Sequence, residues 1–180
     1  MMARVMKGAA AASFLLTVLF SVFCRMGLHW AAPFAITFGT CFYHFAMRLL
    51  VGYSLNRRMQ NKADYRKSRY QLRPFEEKLY QRLRVKHWKG NMPTFDPSCF
   101  DPKLHSWEEI AQAMCQAETV HEIIIPLSFL PLLAAIPFGT FPVFLITSLL
   151  AALYDLSFVV IQRFNRPRVI KLIEKERTVK

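Results

Sequence analysis

Four long apolar stretches, separated by strongly basic segments, limit most how this chain can fold. Residues 14–23 carry no charge, residues 34–53 carry little, and residues 123–161 contain one acidic residue, Asp155. A helix needs roughly 20 apolar residues to cross the hydrocarbon core of a bilayer. The last stretch is long enough for two helices, and Pro137 and Gly139 mark a tight hairpin within it. The pattern therefore predicts an all-α membrane protein with four transmembrane helices.

The predicted organisation is a single integral membrane domain over residues 1–180. We place the spans at about 9–24, 31–53, 117–136 and 140–162, with a loop at 54–116 and a basic tail at 163–180. The N-terminal segment is similar to a signal peptide, but Phe23 before Cys24 is too bulky for a lipoprotein cleavage site. We therefore expect this segment to be retained as an anchor helix.

The distribution of Lys and Arg predicts the orientation in the membrane. Residues 56–89 hold twelve basic residues against three acidic, and residues 163–180 hold seven against two. Arg4 and Lys7 add a smaller basic segment at the N-terminus. Basic segments stay on the cytoplasmic side. Four spans place all three on one side, so we predict a cell (inner) membrane protein with both termini cytoplasmic.

The long loop contains two helix signals. Residues 74–87 begin with Pro and acidic residues and end with basic ones, which is typical of a helix. Their apolar side chains lie on roughly one face, so we predict a helix on the membrane surface; a solvated charged helix is the alternative. Ser106 and Glu109 form a capping-box pattern that predicts a second helix start.

The cysteines and histidines give no metal signature. Cys24, Cys41, Cys99 and Cys115 form no CxxC pair, and His121 lacks the second His of an HExxH motif. We expect neither a disulfide framework, a metal site nor a bound cofactor.

Glu118 and His121 are the first candidate for chemistry. They lie three residues apart, hence on one helix face, where the third span begins. A carboxylate beside an imidazole can orient it, and such a His can take a proton from a hydroxyl group. The alternative is a polar cap at the membrane interface.

The second candidate follows the fourth span on the same side of the membrane. Arginines there can hold a carboxylate or a phosphate, and Asn and Gln add little to membrane orientation. The alternative is a basic cluster that only stops transfer of the chain. Pro167 is expected to end the span helix at about Arg166. The candidate binding residues are Gln162, Arg163, Asn165, Arg166 and Arg168.

Further polar residues lie in or beside the spans. Trp88 and Lys89 follow the predicted surface helix and fit either a site or simple interfacial anchoring. Asp155 needs a partner in lipid, and His44 and Arg48, one turn apart on the second span, are the candidates. Such a contact is equally consistent with a structural role.

These motifs, in this order, resemble the family of glycosyl-4,4'-diaponeurosporenoate acyltransferases, which esterify a carotenoid glycoside. The resemblance runs from about Arg73 to the tail, and the first two spans match only in hydrophobic character. The chain departs from the family pattern at Glu122 and Asp155, where the family often has Trp and Asn. The matching segments are Arg73-Pro74-Phe75-Glu76, Trp88-Lys89 with Pro93, Ala117-Glu118-Thr119-Val120-His121 and Gln162-Arg163-Phe164-Asn165-Arg166-Pro167-Arg168.

The resemblance implies transfer of a fatty acyl group to a hydroxyl of a glycosylated membrane lipid. In this interpretation His121 is the general base and Glu118 orients it. The arginine cluster with Asn165 holds an acyl donor such as acyl-CoA or acyl carrier protein, and Trp88 and Lys89 cover the substrate site from the cytoplasmic side. The expected partners are the bilayer, the lipid acceptor and the donor, with no nucleic acid. Two alternatives stay open. One is a reductase or methyltransferase with a nucleotide cofactor, although no GxGxxG is present; the other is a non-catalytic lipid-binding subunit.

Overall fold

The computed structural model describes residues 2–179, which are mostly helical and include no strand. The predicted all-α class is therefore confirmed. Met1 and Lys180, the end residues of the predicted domain, lie outside the described residues. The helices are α1 (Met2–Arg25), α2 (Ala32–Met59), α3 (Pro74–Arg82), α4 (Val85–Trp88), α5 (Trp107–Leu127), α6 (Ala135–Phe138) and α7 (Phe141–Val179).

Four helical segments are long and apolar enough to cross a membrane, as the sequence predicted. They cover Met2–Arg25, His29–Met59, Trp107–Phe138 and Phe141–Thr178. Each extends beyond its predicted span at one or both ends. The segment between α2 and α5, residues 60–106, lies at one end of the bundle, which we call the loop end. Both α1 and α7 have their outer termini at this end, because the long helices alternate in direction.

Aromatic packing joins α1 to α2. The Phe20 ring stacks on Phe34 and Phe38, with centroid separations of 5.1 Å and 5.7 Å. Gly39 lies at this contact, where a Cβ would sit 3.6 Å from the Thr17 methyl carbon, an ordinary van der Waals separation. The predicted short turn after α1 is formed, with Gly27 at φ +87°.

α5 packs along α7, and the turn between their segments lies at the far end of the bundle. The third span was expected to be one helix over 117–136, but α5 ends at Leu127 and a 3₁₀ turn, Leu130–Ala134, precedes α6. Pro131 contributes to this break because it has no backbone N–H. The predicted hairpin is present, with Gly139 at φ 71° and Thr140 at φ 53°.

α7 does not end at Arg166, which corrects the prediction from Pro167. The helix continues through Pro167 to Val179. Its 39 residues span about 58 Å, roughly twice the thickness of a hydrocarbon core. Tertiary packing outweighs the helix-breaking tendency of Pro167, because Ile173 packs beyond it in a buried cluster.

That buried cluster holds the loop end together. Val169 and Ile170 pack beside Ile173, against residues of the loop and the first turns of α5. The other members of the cluster are Ala63, Tyr65, Tyr70, Ala111 and Cys115, with Met59 and Trp107 at its edge. The C-terminal half of α7 is thus part of a packed platform and not a free basic tail.

The loop helices follow the sequence signals in part. Ser106 caps α5 and exchanges hydrogen bonds with Glu109, so the predicted capping box is confirmed. The helix expected over 74–87 is divided, because Arg84 adopts a left-handed conformation at φ 49° between α3 and α4. Val85 is consequently buried, whereas Phe75 and Leu79 stay exposed. Whether α3 lies on a membrane surface stays a prediction.

Candidate functional site: two ionic networks between α5 and α7

Glu118 lies at the centre of a buried ionic network. Its side chain is fully buried and accepts hydrogen bonds from Arg163, at 2.7 Å from Nη1, and from Arg166 Nη2. Arg166 is 1% exposed and also donates to the carbonyl oxygen of Tyr70 at 2.6 Å. Both arginines belong to α7 and lie three residues apart, so they face α5 together. This network fastens α7 to α5.

Arg163 extends the network to α3. Its Nε and Nη2 groups donate to the two oxygens of Glu76 at 2.6 Å and 2.8 Å, a bidentate pair. The remaining N–H groups of Arg163 reach Glu118 and the carbonyl oxygens of Arg69 and Gln71. All five of its donors are therefore occupied. The loop is held onto the α5–α7 pair by the same side chain.

Tyr80 completes the Glu76 side of this network. Its hydroxyl group donates to Glu76 Oε1 at 3.1 Å. Burial, followed by the negative charge of Glu76, raises the pKa of Tyr80 to about 12. Burial alone would raise the pKa of Glu76, but hydrogen bonds from Arg163 and from the backbone of Arg73 outweigh it and lower that pKa. Both groups therefore keep their hydrogen-bonding forms at neutral pH.

A second network lies about one turn away and is centred on His121. The His121 Nδ1 atom lies 2.8 Å from Asp155 Oδ1, and Asp155 also pairs with Arg48 of α2. An ionised carboxylate can only accept hydrogen bonds, so Nδ1 is the donor and Nε2 carries the free lone pair. Arg48 itself is held by the carbonyl oxygen of His44, at 2.9 Å.

The reactive edge of His121 is open. The side chain is 23% exposed, and Nε2 has no hydrogen-bond partner among residues 2–179. One face of the imidazole ring stacks on Phe158, with centroids 4.6 Å apart and planes at 12°. The ring is therefore fixed by a carboxylate at one nitrogen and by an aromatic ring on its face, while the other nitrogen is accessible.

The structure corrects the expected pairing of Glu118 with His121. The carboxylate that holds the imidazole is Asp155, whereas both oxygens of Glu118 accept from Arg163 and Arg166. Spacing on α5 alone suggested the pair, but the arginines of α7 compete successfully for Glu118. Of the two partners considered for Asp155, Arg48 makes the contact. Both ring nitrogens of His44 are buried without a hydrogen bond within the described chain.

The remaining candidate residues are distributed around α7. Lys89 donates to Asn165 Oδ1, which brings the loop onto α7. Trp88 is half-buried, and its indole N–H donates to the Leu83 carbonyl oxygen at 3.0 Å. Arg168 is exposed beside Phe164, and Gln162 is half-buried. Arg163 and Arg166 are enclosed by protein partners, which leaves Arg168 and Lys89 as the accessible cations of the predicted binding group.

The loop end also contains a cavity at the edge of the Glu118 network. An open cavity of about 470 Å³ lies beside Arg69 and Tyr70, whose partners on α5 are Glu122 and Thr119. Within residues 2–179, no three His, Cys, Asp or Glu side chains approach one another closely enough to hold a metal ion.

Sequence reasoning missed the role of Glu76. This residue belongs to the Arg73-Pro74-Phe75-Glu76 motif, but it was interpreted as an ordinary acidic residue at a helix start. Its carboxylate does accept from the backbone N–H of Arg73, as such residues do, and it also binds Arg163 across the fold. A helix start alone does not require the full Arg73-Pro74-Phe75-Glu76 sequence. That extra specificity is the signal that could have pointed to the contact between Glu76 and Arg163.

The fold and the two networks define a helical protein with four helices apolar enough to cross a membrane and an imidazole–carboxylate pair between two of them. A family model described as glycosyl-4,4'-diaponeurosporenoate acyltransferase matches residues 65–175, more than half of the chain. The chain belongs to this family and is therefore an acyltransferase. No sequence among curated proteins and no solved structure matches it. The matched range includes Glu76, Glu118, His121 and Asp155, and it leaves out α1 and α2.

Proposed function

We propose that this protein transfers a fatty acyl group from an activated donor to a sugar hydroxyl of a glycosylated carotenoid or a similar glycolipid in the membrane. The match to the family model supports the acyl group and the acceptor class. The observation that carries the mechanism is the His121–Asp155 pair, which leaves Nε2 free to act as a base.

His121 has the general-base role in this mechanism. Nε2 takes the proton of the acceptor hydroxyl while the hydroxyl oxygen attacks the carbonyl carbon of an acyl thioester. The carbon–sulfur bond then breaks, and the imidazolium returns the proton to the leaving thiolate. The products are an ester and a free thiol. Asp155 is a positioning residue, since it fixes the tautomer and stabilises the imidazolium that forms.

Arg48 supports this chemistry through Asp155. A carboxylate that is 1% exposed in an apolar region is stable as an anion only with a charged partner. The Arg48 guanidinium supplies that charge, so Asp155 remains an acceptor for Nδ1–H. We assign Arg48 a positioning role; Glu118, in contrast, supports the fold through the arginines and does not act on the imidazole.

The depth of His121 suits a lipid acceptor. Large exposed apolar side chains, including Leu153 and Leu156, lie at the level of Asp155 on α7, and charged side chains follow from Arg163 onwards. The imidazole thus lies just inside the apolar region, near the loop end. Together with the bias of Lys and Arg, this supports an orientation in which the loop end and both termini face the cytoplasm. A lipid acceptor can then stay in the bilayer while a polar donor arrives from the water.

The test is substitution of the proposed base. We expect His121→Gln to lower the rate of transfer of a labelled acyl group from a thioester to a carotenoid glycoside by about 10²–10⁴-fold, the typical contribution of a general base. The measurement uses membranes that contain equal amounts of protein, and thermal unfolding in detergent checks the fold.

His105 provides a matched control, because it is a partly exposed histidine that precedes α5. His105→Gln is expected to keep the rate within about two-fold, in line with a surface substitution. Native turnover by His121→Gln would contradict the proposed base.

A further inference from the structure

Two cations, Lys89 and Arg168, come together beside Phe164 where the loop meets α7, and Lys86 lies three residues before Lys89 in the chain. The Lys89 Nζ atom lies 5.0 Å from the centroid of the Phe164 ring, and the Arg168 Cζ atom lies 4.7 Å from it. The two charges are therefore no more than about 10 Å apart, close to the screening length of physiological salt. Lys86 adds a third positive charge that acts on Lys89.

This cluster has no acidic partner among the described residues. Within residues 2–179, Lys86, Lys89 and Arg168 pair with no carboxylate. Five arginines elsewhere do have such a partner: Arg48, Arg69, Arg163, Arg166 and Arg177. Burial, followed by the charges of Arg168 and Lys86, lowers the pKa of Lys89. The fold therefore holds like charges together, and their mutual repulsion costs free energy. A bound anion would offset that repulsion.

The position of the cluster relates it to His121. Asn165, which holds the Lys89 ammonium group, comes seven residues after Phe158 on α7, and residues seven apart share one side of a helix. Phe158 stacks on the His121 imidazole. The cluster therefore lies on the His121 side of α7, about 10 Å along the axis towards the loop end. The cavity beside Arg69 and Tyr70 is a separate feature, because those two residues contact Glu122 and Thr119 of α5 instead.

We propose that Lys86, Lys89 and Arg168 form a binding site for a phosphate group, in which Asn165 and Phe164 hold two of the cations in place. Phosphate suits this site because several flexible or planar cations can share its oxygens. The phosphate belongs either to the acyl donor or to a phospholipid headgroup. Assignment to the donor rests on the proposed function, but phosphate binding itself does not.

The experiment measures equilibrium binding to the full chain, purified in a maltoside detergent free of phospholipid. The probes are coenzyme A, pantetheine, which has the same thiol arm without phosphates, and dihexanoyl phosphatidylglycerol. We expect at least one phosphate-containing probe to bind, and the double variant Lys89→Gln/Arg168→Gln to bind it at least about 10-fold more weakly, because two charged contacts are lost. Pantetheine should bind no better to the wild type than to the double variant.

The control is the substitution Lys175→Gln. Lys175 is an exposed lysine on the same helix, about two turns beyond Arg168. It should leave binding within about two-fold, because its charge lies near one screening length from the cluster. If the double variant does not fold, Lys86→Gln, which changes an exposed side chain, should still weaken binding by about three-fold and serves as the second variant. Binding of coenzyme A identifies the donor, and binding of the phosphatidylglycerol identifies a headgroup.

Two outcomes would overturn the proposal. One is that each phosphate probe binds equally to the wild type and to the double variant. The other is that Lys175→Gln weakens probe binding as much as the double variant does. The result is independent of catalysis, since His121→Gln should bind the probe as the wild type does. An inactive His121→Gln with normal binding supports both proposals, and an active His121→Gln removes the catalytic one alone.

Discussion

The Glu118 network and the His121 network lie about one turn apart between the same two helices, yet they differ in how completely their hydrogen bonds are satisfied. Both oxygens of Glu118 and every N–H group of Arg163 have partners. The His121 imidazole has a partner at Nδ1 and an open Nε2. Both networks contain a buried carboxylate paired with arginine.

This difference separates stability from chemistry in two neighbouring parts of one helix. In the Glu118 network, Arg166 Nε is buried and has no partner within the described chain, but the network exposes no free group to a substrate and contributes rigidity. A network with one unused acceptor in an exposed position can exchange a proton. Residues that share a sequence motif, such as Glu118 and His121, can therefore serve different purposes three positions apart.

Loss of Glu118 should have the largest effect on stability. Glu118→Ala leaves Arg163 and Arg166 without a central partner in a buried site, and breaking such a pair typically costs about 3–5 kcal/mol. We expect a much lower midpoint of thermal unfolding in detergent and a reduced yield of folded protein.

Glu122 offers the matched control for Glu118, since it lies on the same helix but pairs with Arg69 in an exposed position. Glu122→Ala should cost at most about 1 kcal/mol. Equal destabilisation by the two substitutions would mean that the Glu118 network does not hold the fold together.

Substitution of Asp155 should affect turnover more than acceptor binding. Asp155→Ala removes the acceptor for Nδ1–H, so we expect kcat to fall by about 10²-fold, within the range of a positioned base, with little change in KM. Asp155→Asn keeps an oxygen that can accept the same hydrogen bond and should retain more activity than the alanine variant. The measurement is the dependence of the acyl-transfer rate on acceptor concentration.

Ser157 on α7 provides the control for Asp155, because its hydroxyl bonds only within its own helix, to the Tyr154 carbonyl oxygen. Ser157→Ala should leave kcat unchanged. A rise in KM with an unchanged kcat for Asp155→Ala would show that Asp155 shapes the binding site and does not position the base.

The smallest expected effect concerns Tyr80. Tyr80→Phe removes one hydrogen bond to Glu76 and should cost about 1 kcal/mol at neutral pH. Because the pKa of Tyr80 is raised from 10.0 to about 12, its contribution is present below pH 10 and declines as the pH rises towards 12. The difference in unfolding free energy between wild type and variant should narrow over that interval. A difference that stays constant from pH 7 to 12 would contradict this role.

The sequence was sufficient for features that depend on local chemistry. Apolar length predicted the four spans, Ser106 and Glu109 predicted the start of α5, and Gly139 predicted the hairpin. Each of these depends on residues close together in the chain. The family resemblance was also confirmed, because its motifs are specific in order and in spacing.

Features that depend on distant partners were harder to predict. The helix continues through Pro167 because Ile173 packs against residues from the loop and from α5. Rules based on neighbouring residues in the chain do not include such tertiary contacts. The partner of His121 could not be found from spacing on α5, since Asp155 lies 34 positions later in the chain. Similarly, the expected helix over 74–87 divides at Arg84 so that Val85 can be buried.

The closure of the Glu118 network by α7 has a consequence for biosynthesis. Because α7 follows α5 in the chain, α5 is synthesised before Arg163 and Arg166. During that interval Glu118 lacks the two arginines that pair with it in the folded protein. We therefore expect the nascent chain to keep α5 near water or a membrane insertase until α7 emerges, so that insertion of these two helices is a single coupled event.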